Sequence, residues 1–199
     1  MFVQIIEGRV SDADGLRRQL DRWQAEVRPG AEGFLGSTGG LTDDGRAIVV
    51  ARFESADAAK ANSDRAEQSA WWADTEKCFE GAPTFAETTE VDSFLTGGSD
   101  DAGFVQVMRG SADRARLATL DREMERHSAQ WRPDVIGGMR FWTSPSDYTE
   151  VVYFTSEADA RAGEQKPPPE EFAPYMADFE QMMQGTEFID LHDPMLISG

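Results

Sequence analysis

Phe2-Val3-Gln4 returns as Phe104-Val105-Gln106, an offset of 102 residues. Arg28-Pro29 is answered by Arg132-Pro133 at an offset of 104, and Phe53-Glu54-Ser55 by Phe154-Thr155-Ser156 at 101. Trp71, Trp72, Thr75, Cys78 and Phe79 meet Tyr175, Met176, Phe179, Met182 and Met183, again 104 apart. Small drifts of this kind are what insertions in loops produce. The chain is one unit written twice, so its fold has to be one that either half can adopt. The Gly- and Asp-rich stretch from Thr96 to Gly103 reads as the connection and divides the chain into residues 1–98 and 99–199.

Each half reads as strand, helix, strand, strand, helix, strand. In the first half "FVQIIEGRV" is rich in β-branched residues and predicts a strand. Ser11 followed by Asp14 resembles a capping box at a helix start. Leu16, Leu20, Trp23 and Val27 then fall on one helical face, and Leu120, Met124, His127 and Trp131 repeat their spacing in the second half. The turn "TDDG" joins a Gly-rich strand to "RAIVVARF" as a hairpin. A βαββαβ unit is the ferredoxin-like plait, an antiparallel four-stranded sheet with both helices on one face. The expected class is α+β: two tandem plaits whose bare faces pack sheet to sheet, an intramolecular pseudo-dimer.

Composition narrows the partners. Lys and Arg number 19 against 37 Asp and Glu, a formal charge of −18. Such a surface repels phosphate backbones and anionic headgroups, which argues against nucleic-acid and membrane partners and for a small-molecule ligand. No apolar run approaches the roughly 18 to 20 residues that a membrane span needs. The first residues lack the basic start and apolar run of a signal peptide, so a cytoplasmic protein is expected. One Cys and two His offer no cluster at zinc spacing, and neither metal nor cofactor is expected. Internal pairing makes a monomer and a homodimer equally compatible with the fold.

The plait order, the strand-opening "FVQ", the segment "ARFESADAAKANSDRAEQSAWW" and the closing "TFAETTEV" resemble the dimeric α+β barrel superfamily. Within it they are similar to the antibiotic biosynthesis monooxygenase-like group, as a tandem fused repeat. The resemblance implies a cofactor-independent monooxygenase, an oxidoreductase acting on a small aromatic or polyketide-like molecule in a cleft between helices and sheet. The superfamily also holds haem-degrading oxygenases and isomerases, so the fold does not choose a reaction. The alternative is a non-catalytic binding or structural protein whose clefts are filled or degenerate.

The resemblance carries an Asn and a Trp of the second helical region onto Asn62 and onto Trp71 or Trp72. Asn62 is then a donor to a developing oxyanion, or else a cap at the end of its helix. Trp71, Trp72 and their counterpart Tyr175 line a cleft or fill the core, and Trp142 beside the second hairpin turn rims a cavity or packs. His127 lies on the apolar stripe where the first half has Trp23, as a general base or a satisfied boundary side chain. His192 shares a strand face with Asp190 by period-two alternation, as a proton-transfer couple or a surface pair. A haem held by His127 or His192 is a third candidate. Gln4 and Gln106 recur in otherwise apolar strands and either meet each other or bond locally.

Overall fold

The computed structural model describes residues 1–199, the side chain of His192 excepted. The chain divides into two compact units, Met1–Thr89 with Leu191–Gly199, and Glu90–Asp190.

Unit 1 runs β1 (Phe2–Arg9), α1 (Ala13–Arg22), β2 (Phe34–Leu41), β3 (Arg46–Phe53), α2 (Ala56–Ser63), α3 (Ala66–Thr75) and β4 (Thr84–Thr88). Its antiparallel sheet has the plait order β4-β1-β3-β2, extended beyond β2 by the end of the last strand. Unit 2 runs β5 (Val91–Leu95), β6 (Phe104–Ser111), α4 (Arg114–Trp131), β7 (Val135–Trp142), β8 (Asp147–Phe154), α5 (Glu157–Glu164), α6 (Met176–Gln184) and β9 (Glu187–Ser198). Its sheet has the order β9-β6-β8-β7-β5. Two five-stranded antiparallel sheets and six α-helices make the chain α+β, two ferredoxin-like units in tandem.

The compact units do not coincide with the halves of the sequence. "TFAETTEV" breaks at Thr89–Glu90: Thr84–Thr88 pairs with β1, whereas Val91–Leu95 pairs with β7 in unit 2. The end of β9 likewise leaves unit 2, and Met195–Ser198 pairs with Gly36–Gly39 of β2. Pairing is decided by which strand edge is free, and the sequence pattern of a strand does not name its neighbour.

The helix starts repeat closely. Asp12 Oδ1 accepts from the Gly15 amide at 2.8 Å and Asp113 Oδ1 from the Arg116 amide at 2.9 Å. Asp12, rather than Ser11, is therefore the N-cap of α1; the Ser11 hydroxyl donates to the Cys78 carbonyl instead. Ser55 and Ser156 cap α2 and α5 in the same extended conformation. The first helices differ in length. Their caps stand 101 residues apart, but Arg28 and Arg132 beyond their ends stand 104 apart, so unit 2 holds three more residues, nearly a turn. α4 is one continuous helix, whereas α1 passes into a π-helical turn at Trp23–Val27.

The two cores are consequently packed differently. In unit 1, Trp23, Phe34, Phe53 and Trp71 form a continuous aromatic cluster, with Trp23 to Phe34 at 4.8 Å and Trp23 to Trp71 at 6.2 Å between ring centroids. In unit 2, Leu117, Leu120, Trp142, Tyr148 and Phe172 are buried together, and the partly buried Met124, Trp131, Phe179 and Met182 pack against them. Among the described residues no helix is long and apolar enough to cross a membrane.

Candidate functional site

Between α4, α6 and the sheet of unit 2 lies a cavity of about 420 Å³. Its apolar wall includes Leu117, Leu120, Met124, Trp131, Val152 and Phe154. That volume falls in the lower part of the roughly 300–1,000 Å³ range of small-molecule sites. The sheet face turned to it is the even-numbered one, because side chains alternate along a strand. Gln106 and Met108 of β6, Arg140 of β7, and Glu150, Val152 and Phe154 of β8 all line the cavity. Phe94 reaches it from β5, its ring lying over Gly138, where an added Cβ would stand 2.0 Å from the ring.

The polar part of the wall is an ion cluster in an otherwise apolar layer. The Arg140 side chain is 4% exposed and donates through Nε to Glu150 Oε2 at 2.7 Å and through Nη1 to Asp121 Oδ2 at 2.6 Å. Its Nη2 reaches both carboxylates, at 2.6 Å and 3.1 Å. Burial opposes the charge on Arg140, but the two carboxylates outweigh it and hold its pKa above the ordinary arginine value. Glu150 is 7% exposed, and burial pushes its pKa up against the opposing charge of Arg140. Both contacts from Arg140 go to Oε2. The only fully buried side-chain nitrogen or oxygen without a partner among the described residues is Arg114 Nε. Oε1 accepts no bond from a described residue, and Glu150 lines the cavity.

A second polar group completes the wall. Gln106 Nε2 donates to Asp190 Oδ1 at 2.8 Å, and Arg161 bonds the other oxygen of the same carboxylate. Gln4 in unit 1 makes the equivalent bond to Glu87 at 2.9 Å, so each glutamine pairs locally. Leu95, at the end of β5, holds a left-handed backbone with φ of 50° and donates its amide to Glu125 Oε1 on α4 at 2.9 Å. Both residues line the cavity.

The residues singled out from the sequence lie mostly elsewhere. Asn62 is buried in unit 1, where its Oδ1 accepts from Arg65, which also donates to the Val27 carbonyl. Trp71 is buried and donates to the Gln19 carbonyl at 2.7 Å, while Trp72 packs edge-on against Phe85. Their aromatic cluster occupies unit 1, whose own smaller cavity of about 240 Å³ is lined by Leu16, Leu20, Ala47 and Val49. In unit 2, Tyr175 packs on Phe172 outside the cavity lining. Trp142 is buried beneath Arg114 and donates to Asp92 at 2.6 Å, also outside the lining. His127 is half-buried on α4 and does not line the cavity. The side chain of His192 lies outside the described residues.

Asp121, Arg140, Glu150 and the Gln106–Asp190–Arg161 group were not reached from the sequence. A signal for them exists. In "YTEVVYF" and "GGMRFW" a charged residue occupies an inward position of an apolar strand, and the hairpin register sets the two opposite each other.

Solved structures of the same architecture are known. A protein described as a candidate monooxygenase from Lactobacillus acidophilus superposes with a TM-score of 0.75, covering 99% of this chain and 95% of its own at 12% identity. The architecture is settled by that match. The fold is the one that protein has, two ferredoxin-like units in tandem in one chain. A candidate monooxygenase from Fusobacterium nucleatum gives 0.75 over 99% of this chain and 94% of its own at 10% identity. An anthrone oxidase-like protein gives 0.65 over 98% and 92% at 9% identity. The sequence matches no protein-family model and no curated protein. At such identities these proteins share a fold with this chain, and the chemistry has to be argued from its own side chains.

Proposed function

We propose that unit 2 binds a small aromatic or polyketide-like molecule in its cavity and oxygenates it without a cofactor, in the cytoplasm. The observation that carries this is the largely apolar cavity whose wall includes Glu150, a carboxylate with one oxygen, Oε1, that accepts no bond from a described residue. A carboxylate whose pKa is raised by burial is a stronger base near neutral pH, suited to taking a proton from a phenol or from an activated methylene. The carbanion so formed gives its electron pair to dioxygen, a C–O bond forms, and the peroxide takes up a proton. Loss of water from that hydroperoxide leaves a carbonyl, so one methylene and one dioxygen give one carbonyl and one water. Trp131 and Phe154 supply flat surfaces for an aromatic ring, and the apolar wall excludes water.

Among the described residues no imidazole lines this wall. One observation favours a second proposal, a non-catalytic small-molecule-binding protein. Arg140 is already held by two carboxylates and Arg161 by Asp190 and Glu164, which leaves neither to stabilise a developing oxyanion.

Anthrone in air-saturated buffer distinguishes the two. Oxygen uptake matched by quinone formation, reduced about 10²- to 10⁴-fold in Glu150→Gln, supports the oxygenase. Saturable quenching of tryptophan fluorescence by anthrone without oxygen uptake supports the binding protein.

A further inference from the structure

Five carboxylates line the cavity of unit 2, Asp121, Glu125, Glu150, Glu164 and Asp190, against three guanidinium groups, Arg132, Arg140 and Arg161. Every one of those arginines already has a carboxylate partner. Arg140 is shared by Glu150 and Asp121. Arg161 is shared by Asp190, Glu164 and Glu157, and Arg132 is closed on Asp134 at 2.7 Å. An anionic ligand would have to break a partly buried ion pair to find a cation, leaving a carboxylate uncompensated in its place. A ligand carrying positive charge meets the opposite situation. The Arg140 cluster holds two carboxylates and one guanidinium, and its one acceptor without a donor among the described residues, Oε1, belongs to Glu150, which lines the cavity. On the other side of the wall, Gln106 and Arg161 hold Asp190 in place with its charge already oriented.

We infer that the cavity selects an aromatic ligand bearing a protonated amine, with the ammonium group held by Glu150 and the ring against Trp131 and Phe154. This rests on the proposal above that the cavity is a ligand site, in its binding form, because an ammonium on Glu150 occupies the one oxygen that the oxygenase reading uses as base. The walls are apolar enough for a ring system, and the carboxylates in excess of the guanidinium groups stand around it on α4, β8, α5 and β9. A charge pair inside such a cavity is screened far less than one at the surface, so the charge on the ligand decides between otherwise equal frameworks.

The test uses three probes on one framework, 9-anthracenemethylammonium, 9-anthracenemethanol and 9-anthracenecarboxylate, titrated at pH 8 against the full chain with tryptophan fluorescence as readout. The ammonium is expected to bind at least about tenfold more tightly than the alcohol, and the carboxylate more weakly than either. Glu150→Gln is expected to remove most of the preference for the ammonium, read as the ratio of the ammonium's affinity to the alcohol's. Should that variant not fold, Asp190→Asn reports on the same surplus of charge. Equal affinity for ammonium and alcohol overturns the inference and leaves the ligand cavity standing, as does tightest binding of the carboxylate. A preference for the ammonium that survives both substitutions also overturns it, because the whole acidic surface is then responsible. Failure of all three probes to bind overturns the inference together with the ligand site on which it rests.

Discussion

Arg140 and Glu150 face each other across β7 and β8 at the register position where unit 1 sets Gly39 against Val49. The two hairpins share their geometry, yet one carries a buried ion pair where the other carries a hydrogen atom and an isopropyl group. A duplicated plait that filled both helix–sheet spaces with apolar side chains would need neither charge, and removing a buried pair in favour of apolar groups is often neutral or stabilising. The pair, together with Asp121, is the feature that most sets unit 2 apart.

Breaking the cluster from its centre leaves two carboxylates facing each other away from water. Arg140→Met is expected to lower the free energy of unfolding by about 3–5 kcal/mol. Urea denaturation of the purified chain measures it. Adding Glu150→Leu and Asp121→Leu in the same background is expected to recover a large part of the loss, since no buried charge is then stranded. A loss below about 1 kcal/mol in the single variant would mean that the cluster behaves as a surface ion network.

Glu150 also predicts a pH dependence. The groups facing it are Arg140 on β7, Asp121 on α4, Asp92 on β5 and Tyr148 on its own strand, and burial dominates them in raising its pKa above that of an ordinary glutamate. The unfolded chain therefore releases this proton at lower pH than the folded one. The stability Glu150 contributes is complete below the ordinary glutamate pKa and is lost as pH rises through its folded pKa. Melting temperatures of wild type and Glu150→Gln, compared from pH 4 to pH 8, are expected to diverge in favour of the glutamine as pH rises. Parallel profiles would show that Glu150 titrates as it does in the unfolded chain.

The ring of Phe94 and the bare Cα of Gly138 test the shape of the cavity. A methyl group at Gly138 would stand 2.0 Å from Phe94 Cζ, so the ring has to leave its place. Gly138→Ala is expected to cost about 1–3 kcal/mol, the range for overfilling a packed site, and to weaken binding of 9-anthracenemethanol. Phe94→Leu in the same background shortens the side chain and is expected to restore part of both losses. An unchanged melting temperature and affinity in Gly138→Ala would show that the ring does not rest on the glycine.

How much of this was legible beforehand varies from element to element. The alternation of Ile189 and Leu191 with Phe188 and Asp190 was readable in β9, and the buried residues are the ones it indicates. The stripe Leu16, Leu20, Trp23 and Val27 was readable in the first helix, with Leu16, Trp23 and Val27 buried and Leu20 partly so. Matching the helices from Arg28 and Arg132 set His127 beside Trp23. The three added residues in unit 2 change that register at the helix start, and His127 lines no cavity. Asn62 Oδ1 accepts from Arg65, and at Gly163 the Arg132–Asp134 pair occupies the space that a side chain would need.

Periodicity and the repeat carried the fold class, because alternation along strands and the 3.6-residue period of helices are local and each half states them independently. Which half keeps an open space between helix and sheet is not a local property. It depends on where the large rings meet: in unit 1 Trp23, Phe34, Phe53 and Trp71 pack together, whereas in unit 2 Trp131, Phe172 and Phe179 contact one another and a cavity stays open beside them. The charges at its wall come from α4, β7 and β8, brought together by strand register and helix length, so their meeting is visible only in three dimensions.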